Sequence, residues 1–180
     1  MRDKVGLLIP ERTYHVYNHS IGTGSQKVFN NEDNYFNFLN KYIECLSPVV
    51  DTFCYVLMPT HFHFLIRCKN EKIIEEHFLA KSKNFATLTT LSGLQKQNFR
   101  HGGLLVRPFK RTPVNDDLYL RTLVKYIHHN PVESKLCHSP EQYKHSSYST
   151  SITDQPGFLE RDKVISWFED NKNFRFFHNQ

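Results

Sequence analysis

The sequence predicts an α+β fold: a ferredoxin-like or RRM-like sandwich, a small antiparallel sheet with helices packed on one face. Three observations carry this. Segments rich in β-formers and segments of helical periodicity follow one another in the order β, α, β-hairpin, α, β, α. Two of the β-rich runs, Thr52–Met58 and His61–Cys68, are separated only by Pro59-Thr60, which reads as the turn of an antiparallel hairpin. At 180 residues, 39% hydrophobic and 14% aromatic, the chain carries material for one packed core.

The elements follow in order. Thr13–Asn18 crowds aromatic and β-branched residues and is the first strand. A glycine-bearing turn, Gly22-Thr23-Gly24-Ser25, comes next. Tyr35, Phe36, Leu39, Tyr42, Ile43 and Leu46 recur at helical spacing, with Asn31 or Asp33 as cap and Pro48 just past the end. After the hairpin, Glu71 to about Leu94 reads as a second helical region through Ile73, Ile74, His77, Phe78, Phe85, Leu88 and Leu91, with Gly93 at its end. Gly102-Gly103 opens a β-like run, Leu104–Arg111, in which Pro108 favours an edge position or a bulge. Beyond Thr112-Pro113-Val114-Asn115, Asp116 or Asp117 caps a third helix with a buried stripe of Leu120, Leu123, Val124 and Ile127. Pro131 is expected to end it after Asn130. Cys137 to Gly157 is polar and serine-rich, and a last short helix, about Arg161 to Glu169, carries Val164, Ile165, Trp167 and Phe168. Residues 1–150 form the principal domain and 151–180 a helical, aromatic tail. Of the roles open to Trp167, Phe168, Phe174, Phe176 and Phe177, a lid on the core leads a dimer contact or a DNA-stacking patch, because clustered aromatics usually bury.

Composition removes several function classes. No apolar run reaches the roughly 18 residues needed to span a bilayer. Met1 to Pro10 lacks the apolar length and cleavage site of a signal peptide. The four cysteines form no C-x-x-C pair, which leaves zinc fingers and thioredoxin-type motifs unsupported and places the chain in the cytosol. A formal net charge of +5 fits a polyanionic partner.

Two motifs carry chemistry. In His61-Phe62-His63 the strand alternation points both imidazoles to one face, joined by Leu65 and Arg67, while Phe62, Phe64, Ile66 and Cys68 take the other. Two imidazoles so spaced suit one metal ion, although either histidine could equally be a surface hydrogen-bonding residue. In Tyr126-Ile127-His128-His129-Asn130, Tyr126 and Asn130 lie one helical turn apart. Their face is rotated by about 110° from the apolar stripe, at its margin. His128 and His129 are candidate C-terminal caps that favour the helix dipole when protonated. A metal held by two histidines and an amide oxygen, beside a tyrosine hydroxyl, is apparatus for phosphodiester transesterification. Tyrosine titrates near pH 10, so a cation or base nearby is needed to make it a nucleophile at neutral pH. An oxygen third ligand favours Mg²⁺ or Mn²⁺ over zinc. Basic residues cluster at Lys81, Lys83, Lys96 and Arg100, and again at Arg107, Lys110, Arg111, Arg121 and Lys125. The second group immediately precedes Tyr126 and is the candidate nucleic-acid-binding set, with a solvated basic face as the alternative reading. Tyr14, Tyr17 and Phe109 are candidates to stack on unpaired bases.

Three ordered stretches, Tyr14-His15-Val16-Tyr17-Asn18, Tyr55 to Ile66 with Pro59-Thr60-His61-Phe62-His63 at its centre, and Tyr126-Ile127-His128-His129-Asn130-Pro131-Val132, closely resemble the single-tyrosine HUH transposases. The best match is the REP-associated tyrosine transposase branch of the insertion-sequence type. The resemblance runs from about Thr13 to Tyr148, where Glu141-Gln142-Tyr143-Lys144-His145-Ser146-Ser147-Tyr148 looks like that branch's closing motif. It implies a ferredoxin-like catalytic domain that cuts and rejoins single-stranded DNA near a hairpin or palindromic repeat. It further implies His61, His63 and Asn130 as ligands of Mg²⁺ or Mn²⁺, and Tyr126 as the nucleophile that becomes 5′-phosphotyrosyl-linked. Homodimers are common among such proteins, and the implied setting is the cytoplasm, on the nucleoid when DNA is bound. Thr60 stands where relatives usually carry Asn, and Arg100 to Arg111 follows the family pattern only loosely. Three other readings compete: a non-catalytic RRM-like nucleic-acid-binding module, a metallo-phosphohydrolase in which water attacks, and a replication-initiator or relaxase-type nickase. The lack of a carboxylate-rich motif counts against the second, and the short chain against the third.

Overall fold

A computed structural model of the chain describes residues 8–20, 26–80, 105, 109–153 and 156–180. Strand β1 (Thr13–His19) leads to helix α1 (Glu32–Cys45), then to the hairpin of β2 (Val50–Met58) and β3 (His61–Cys68). Helix α2 (Glu71–Ala80), strand β4 (Lys110–Val114) and helix α3 (Asp117–Glu133) follow. A 3₁₀ turn (Pro140–Gln142) and helices α4 (Tyr148–Ile152), α5 (Arg161–Ser166) and α6 (Asn171–His178) complete the described chain. The four strands form one sheet in the order β2-β3-β1-β4, and every neighbouring pair is antiparallel. This is the ferredoxin-like arrangement that the sequence predicts. The glycine turn at 22–25, the helical region beyond residue 80 and Arg107 lie outside the described residues.

The alternation of side chains sorts the sheet into two faces. Tyr14 and Val16 of β1, Tyr55 and Leu57 of β2, and Phe62, Phe64 and Ile66 of β3 point one way and pack against α1 through Phe38 and Tyr42, with Ile74 of α2 at the margin. Asn31 caps α1 by accepting the Asn34 N–H at 3.0 Å, and the Tyr42 hydroxyl lies 2.7 Å from Thr52 Oγ1 beneath it. The opposite face, which a two-layer sandwich would leave to water, is covered by α3 and the C-terminal helices. Cys54, Val56, Leu65 and Val114 meet Leu120, Leu123, Val124 and Ile127 there. A register shift between Thr52 and Cys54 lets the successive residues Phe53 and Cys54 both join this second core. Burying one such aliphatic side chain is worth about 1.5–3 kcal/mol, so the apolar stripe of α3 fixes the position of everything else that helix carries.

Three boundaries differ from the sequence reading. The last strand runs over Lys110–Val114 rather than ending at Arg111, so Thr112-Pro113-Val114 is strand and not turn. Pro113 is tolerated because β4 is an edge strand, and Val114 is drawn in by the core under α3. Helix α3 continues through Pro131 to Glu133. The bonds Lys135 N–H to Val132 O (2.9 Å) and Leu136 N–H to Pro131 O (2.8 Å) then close it as a Schellman motif, with Lys135 at φ 57°. Finally, the serine-rich stretch is structural. Ser146, Ser147, Tyr148 and Ser151 are buried, and residues 145–147 run along the free edge of β2. There Leu57 N–H donates to His145 O (2.9 Å) and Ser147 N–H donates to Tyr55 O (3.0 Å).

The aromatic tail is the core lid that its clustering suggests. Phe168 and Phe174 are buried, Trp167 and Phe177 half-buried against the same cluster, and Phe176 alone of the five is exposed.

Candidate active site

Under the C-terminal part of α3 the second face of the sheet changes character. On β2 it stays apolar through Val56 and Met58, but on β3 the apolar run stops at Leu65, and from there β1 and β3 present His15, Tyr17, His19, His61 and His63. The register sets Tyr17 opposite His63 and His19 opposite His61. Helix α3 lays Tyr126 and Asn130 over this patch. The two are one turn apart at the margin of the buried stripe, as helical spacing requires.

The three candidate ligands and the candidate nucleophile therefore converge from segments distant in sequence. His61 Nε2 lies 3.3 Å from Asn130 Oδ1. The rings of His61 and His63 are 5.3 Å apart and nearly perpendicular. The Tyr126 ring meets the His63 ring edge-on at 5.6 Å. Tyr126 remains 41% exposed, whereas His63 is buried and His61 half-buried. Desolvation dominates the electrostatics: it pushes His63 down to about 3 and also lowers His61, so both rings are neutral near pH 7 with a lone pair to give.

Each ring is held from behind. His61 Nδ1 lies 3.0 Å from Thr60 Oγ1, and His63 Nδ1 lies 2.9 Å from His15 Nε2. Asn130 Nδ2 donates to Tyr126 O at 3.1 Å, which turns Oδ1 toward His61. Adjacent ligands on a six-coordinate ion with bonds near 2.1 Å sit about 3 Å apart, so the 3.3 Å between His61 Nε2 and Asn130 Oδ1 suits a pair sharing one cation. Among the described residues no group of three or more His, Cys, Asp and Glu side chains is placed to hold a metal; beside the two imidazoles the polar atom at hand is the Asn130 amide oxygen. Two imidazoles and one amide oxygen make a neutral donor set that a divalent cation could take up.

The basic candidates divide. Lys110, paired with Tyr17 in the register, lies on the site's side of the sheet with its ammonium 5.9 Å from the Tyr17 ring. Arg111, one residue on, points through the opposite face, with its guanidinium 5.4 Å from the Phe109 ring. Lys125 leans toward α6, its ammonium 5.5 Å from the Phe177 ring, and Arg121 is half-buried one turn before it. Tyr14 and Phe109 are buried in the core beneath α1, so neither offers a face to a base; of the three aromatic candidates only Tyr17 borders the site. His128 is not a protonated cap. It is fully buried, and desolvation keeps it neutral between Ser147 and His178.

Sequence reasoning missed His15 as a member of the site and His178 as a partner of His128. The first was open to inspection: in Thr13–His19 the odd residues His15, Tyr17 and His19 share a face by alternation alone. The second joins two helices 50 residues apart and leaves no local pattern.

No family model matches the chain, and no curated protein matches its sequence. In three dimensions it is similar to a solved REP-associated tyrosine transposase bound to a REP hairpin. The TM-score is 0.57 at 11% identity, covering 87% of this chain and 89% of that one. The likeness is one of fold. No described helix is long and apolar enough to cross a membrane.

Proposed function

We propose that this chain is a metal-dependent single-stranded DNA transposase that cuts and rejoins DNA through Tyr126, with His61, His63 and Asn130 as the protein ligands of Mg²⁺ or Mn²⁺. One observation carries the reading. Strand β3 and helix α3 bring an amide oxygen, 69 residues along the chain from His61, within 3.3 Å of that imidazole and a half-exposed tyrosine against His63. The similarity of fold to a hairpin-bound tyrosine transposase supports it.

The Tyr126 oxygen attacks phosphorus, the bond from phosphorus to the 3′ oxygen breaks, and that oxygen leaves with a proton as a 3′ hydroxyl. The product is a 5′-phosphotyrosyl link, and rejoining reverses the step with a different 3′ hydroxyl. The bound cation would supply charge neutralisation at the scissile phosphate. The chain's own residues set the geometry: Asn130 ties the turn of α3 to the Tyr126 carbonyl, the Thr60 and His15 contacts orient the two imidazoles, and Lys110 places a positive charge beside the cleft.

The test is a covalent one. The protein is incubated with labelled single-stranded hairpin DNA from the flanks of its own gene, with Mg²⁺ or Mn²⁺, and run on a denaturing gel. A protein–DNA adduct is expected for the parent and none for Tyr126→Phe, for His61→Ala or in chelator. An adduct that persists in Tyr126→Phe removes Tyr126 as nucleophile. Tight binding without any adduct leaves a nucleic-acid-binding module of the same shape.

A further inference from the structure

His15 Nε2 and His63 Nδ1 are 2.9 Å apart, both side chains are buried, and two neutral imidazoles in contact share a single proton. Two arrangements are open. If His15 Nε2–H donates, His63 is protonated at Nε2 and has no lone pair left for a cation. If His63 Nδ1–H donates, His15 accepts and His63 Nε2 is free to bind.

We infer that His15 is a positioning residue that accepts the Nδ1 proton of His63, fixing the tautomer in which Nε2 faces the cleft as a metal ligand. The inference rests on the metal site proposed above and adds to it the direction of the proton between His15 and His63. The placement is built rather than incidental. His15 packs on Tyr17 (centroids 4.9 Å, 29°), its ring lies within 20° of the His63 plane with centroids 5.0 Å apart, and Tyr126 closes its edge at 6.3 Å. The same logic governs the neighbouring ligand, whose Nδ1 is engaged by the Thr60 hydroxyl. A hydroxyl can donate or accept, so Thr60 follows whichever tautomer His61 adopts; His15 has to hold its own proton on Nδ1 to do its part. Metal-bound histidines generally donate the distal N–H to a carboxylate, a carbonyl or water. Here a second imidazole stands in that place.

Two readouts test this without activity. Side-chain ¹⁵N spectra of the metal-free protein, with His63 assigned by its loss in His63→Gln, report which nitrogen is protonated. Nδ1–H is expected in the parent and a shift toward Nε2–H in His15→Phe, which keeps an aromatic ring to stack and removes the acceptor. Mn²⁺ titration followed by the free-ion paramagnetic signal should show His15→Phe binding about 10–100-fold more weakly. His15→Gln, whose amide oxygen reaches about as far as Nε2, should stay within about threefold of the parent. Nε2–H at His63 in the parent overturns the inference, as does Mn²⁺ binding in His15→Phe equal to the parent's. His63 in the Nδ1–H form with no Mn²⁺ or Mg²⁺ bound to the parent overturns the metal site itself, and with it the purpose assigned to His15.

Discussion

His128 Nδ1 lies 3.0 Å from His178 Nε2, so the last turn of the chain is hydrogen-bonded directly to the helix that carries Tyr126. The proton inventory is determined. His178 Nδ1 sits 2.8 Å from the Phe174 carbonyl and must donate to it, which leaves His178 Nε2 as an acceptor. His128 Nδ1–H therefore donates to His178, and His128 Nε2 accepts from the Ser147 hydroxyl at 2.8 Å. Ser147 Oγ in turn accepts the Tyr55 N–H at 2.8 Å, so one directed chain of bonds runs from β2 through α3 to α6.

Removing either end of that chain is costly. His178→Ala strands the buried His128 N–H and opens a cavity beside Phe174; a loss of about 2–4 kcal/mol is expected in urea denaturation. Ser147→Ala unpairs Tyr55 N–H and His128 at once and should cost about 1–3 kcal/mol. His138→Ala, at an exposed position, should stay within about 0.5 kcal/mol of the parent.

The same burial gives stability a direction with pH. His178 is held down to about 4 by desolvation, below the value near 6.5 that it recovers on unfolding. Between these values the unfolded chain binds the extra proton and the folded one does not. Its contribution to stability is thus complete above about pH 6.5 and is lost as pH falls toward 4. Urea midpoints measured from pH 7.5 down to pH 5 should fall, and the fall should be shallower in His178→Leu.

Neighbouring cations should differ in their salt signatures. If single-stranded DNA crosses the face bearing Tyr17 and Lys110, Lys110→Ala lowers the slope of log K against log salt by about 0.7. Arg111→Ala, on the far side of the sheet, leaves the slope unchanged. Anisotropy titrations across a salt series check both; equal effects would place the DNA elsewhere.

Lys135 occupies the left-handed position that ends α3, at φ 57°, where glycine avoids the clash of a Cβ with the backbone. Lys135→Gly should raise stability by about 0.5–1 kcal/mol, read as an increase in Tm.

The hairpin, the capped helices and the pairing of His61 with His63 were legible because each is written in local periodicity: two for strands, 3.6 for helices, Pro59-Thr60 for the turn. Tyr126 and Asn130 were legible as a pair for the same reason. What escaped was set by tertiary packing. Thr112-Pro113-Val114 has the composition of a turn and becomes strand because Val114 fills a core formed by α3. Pro131 looks like a stop and is carried past because the final turn closes on a Schellman motif. The serine-rich segment reads as loop because its hydroxyls are polar, yet Ser147 is buried by bonding to β2 and His128. Arg111 and Lys110 are neighbours in sequence and opposites in space, a separation that clustering of charge cannot show.

The edges of the sheet bear on how copies of the chain could associate. At β2 the outward hydrogen-bonding groups at Thr52, Tyr55 and Leu57 are already taken by residues 143–147 and 160 of the same chain. At the other edge Pro113 brings no N–H to a ladder. The occupied β2 edge therefore offers no free ladder at Thr52, Tyr55 and Leu57 for a second copy, and Pro113 makes β4 a poorer template, which guards against edge-to-edge aggregation.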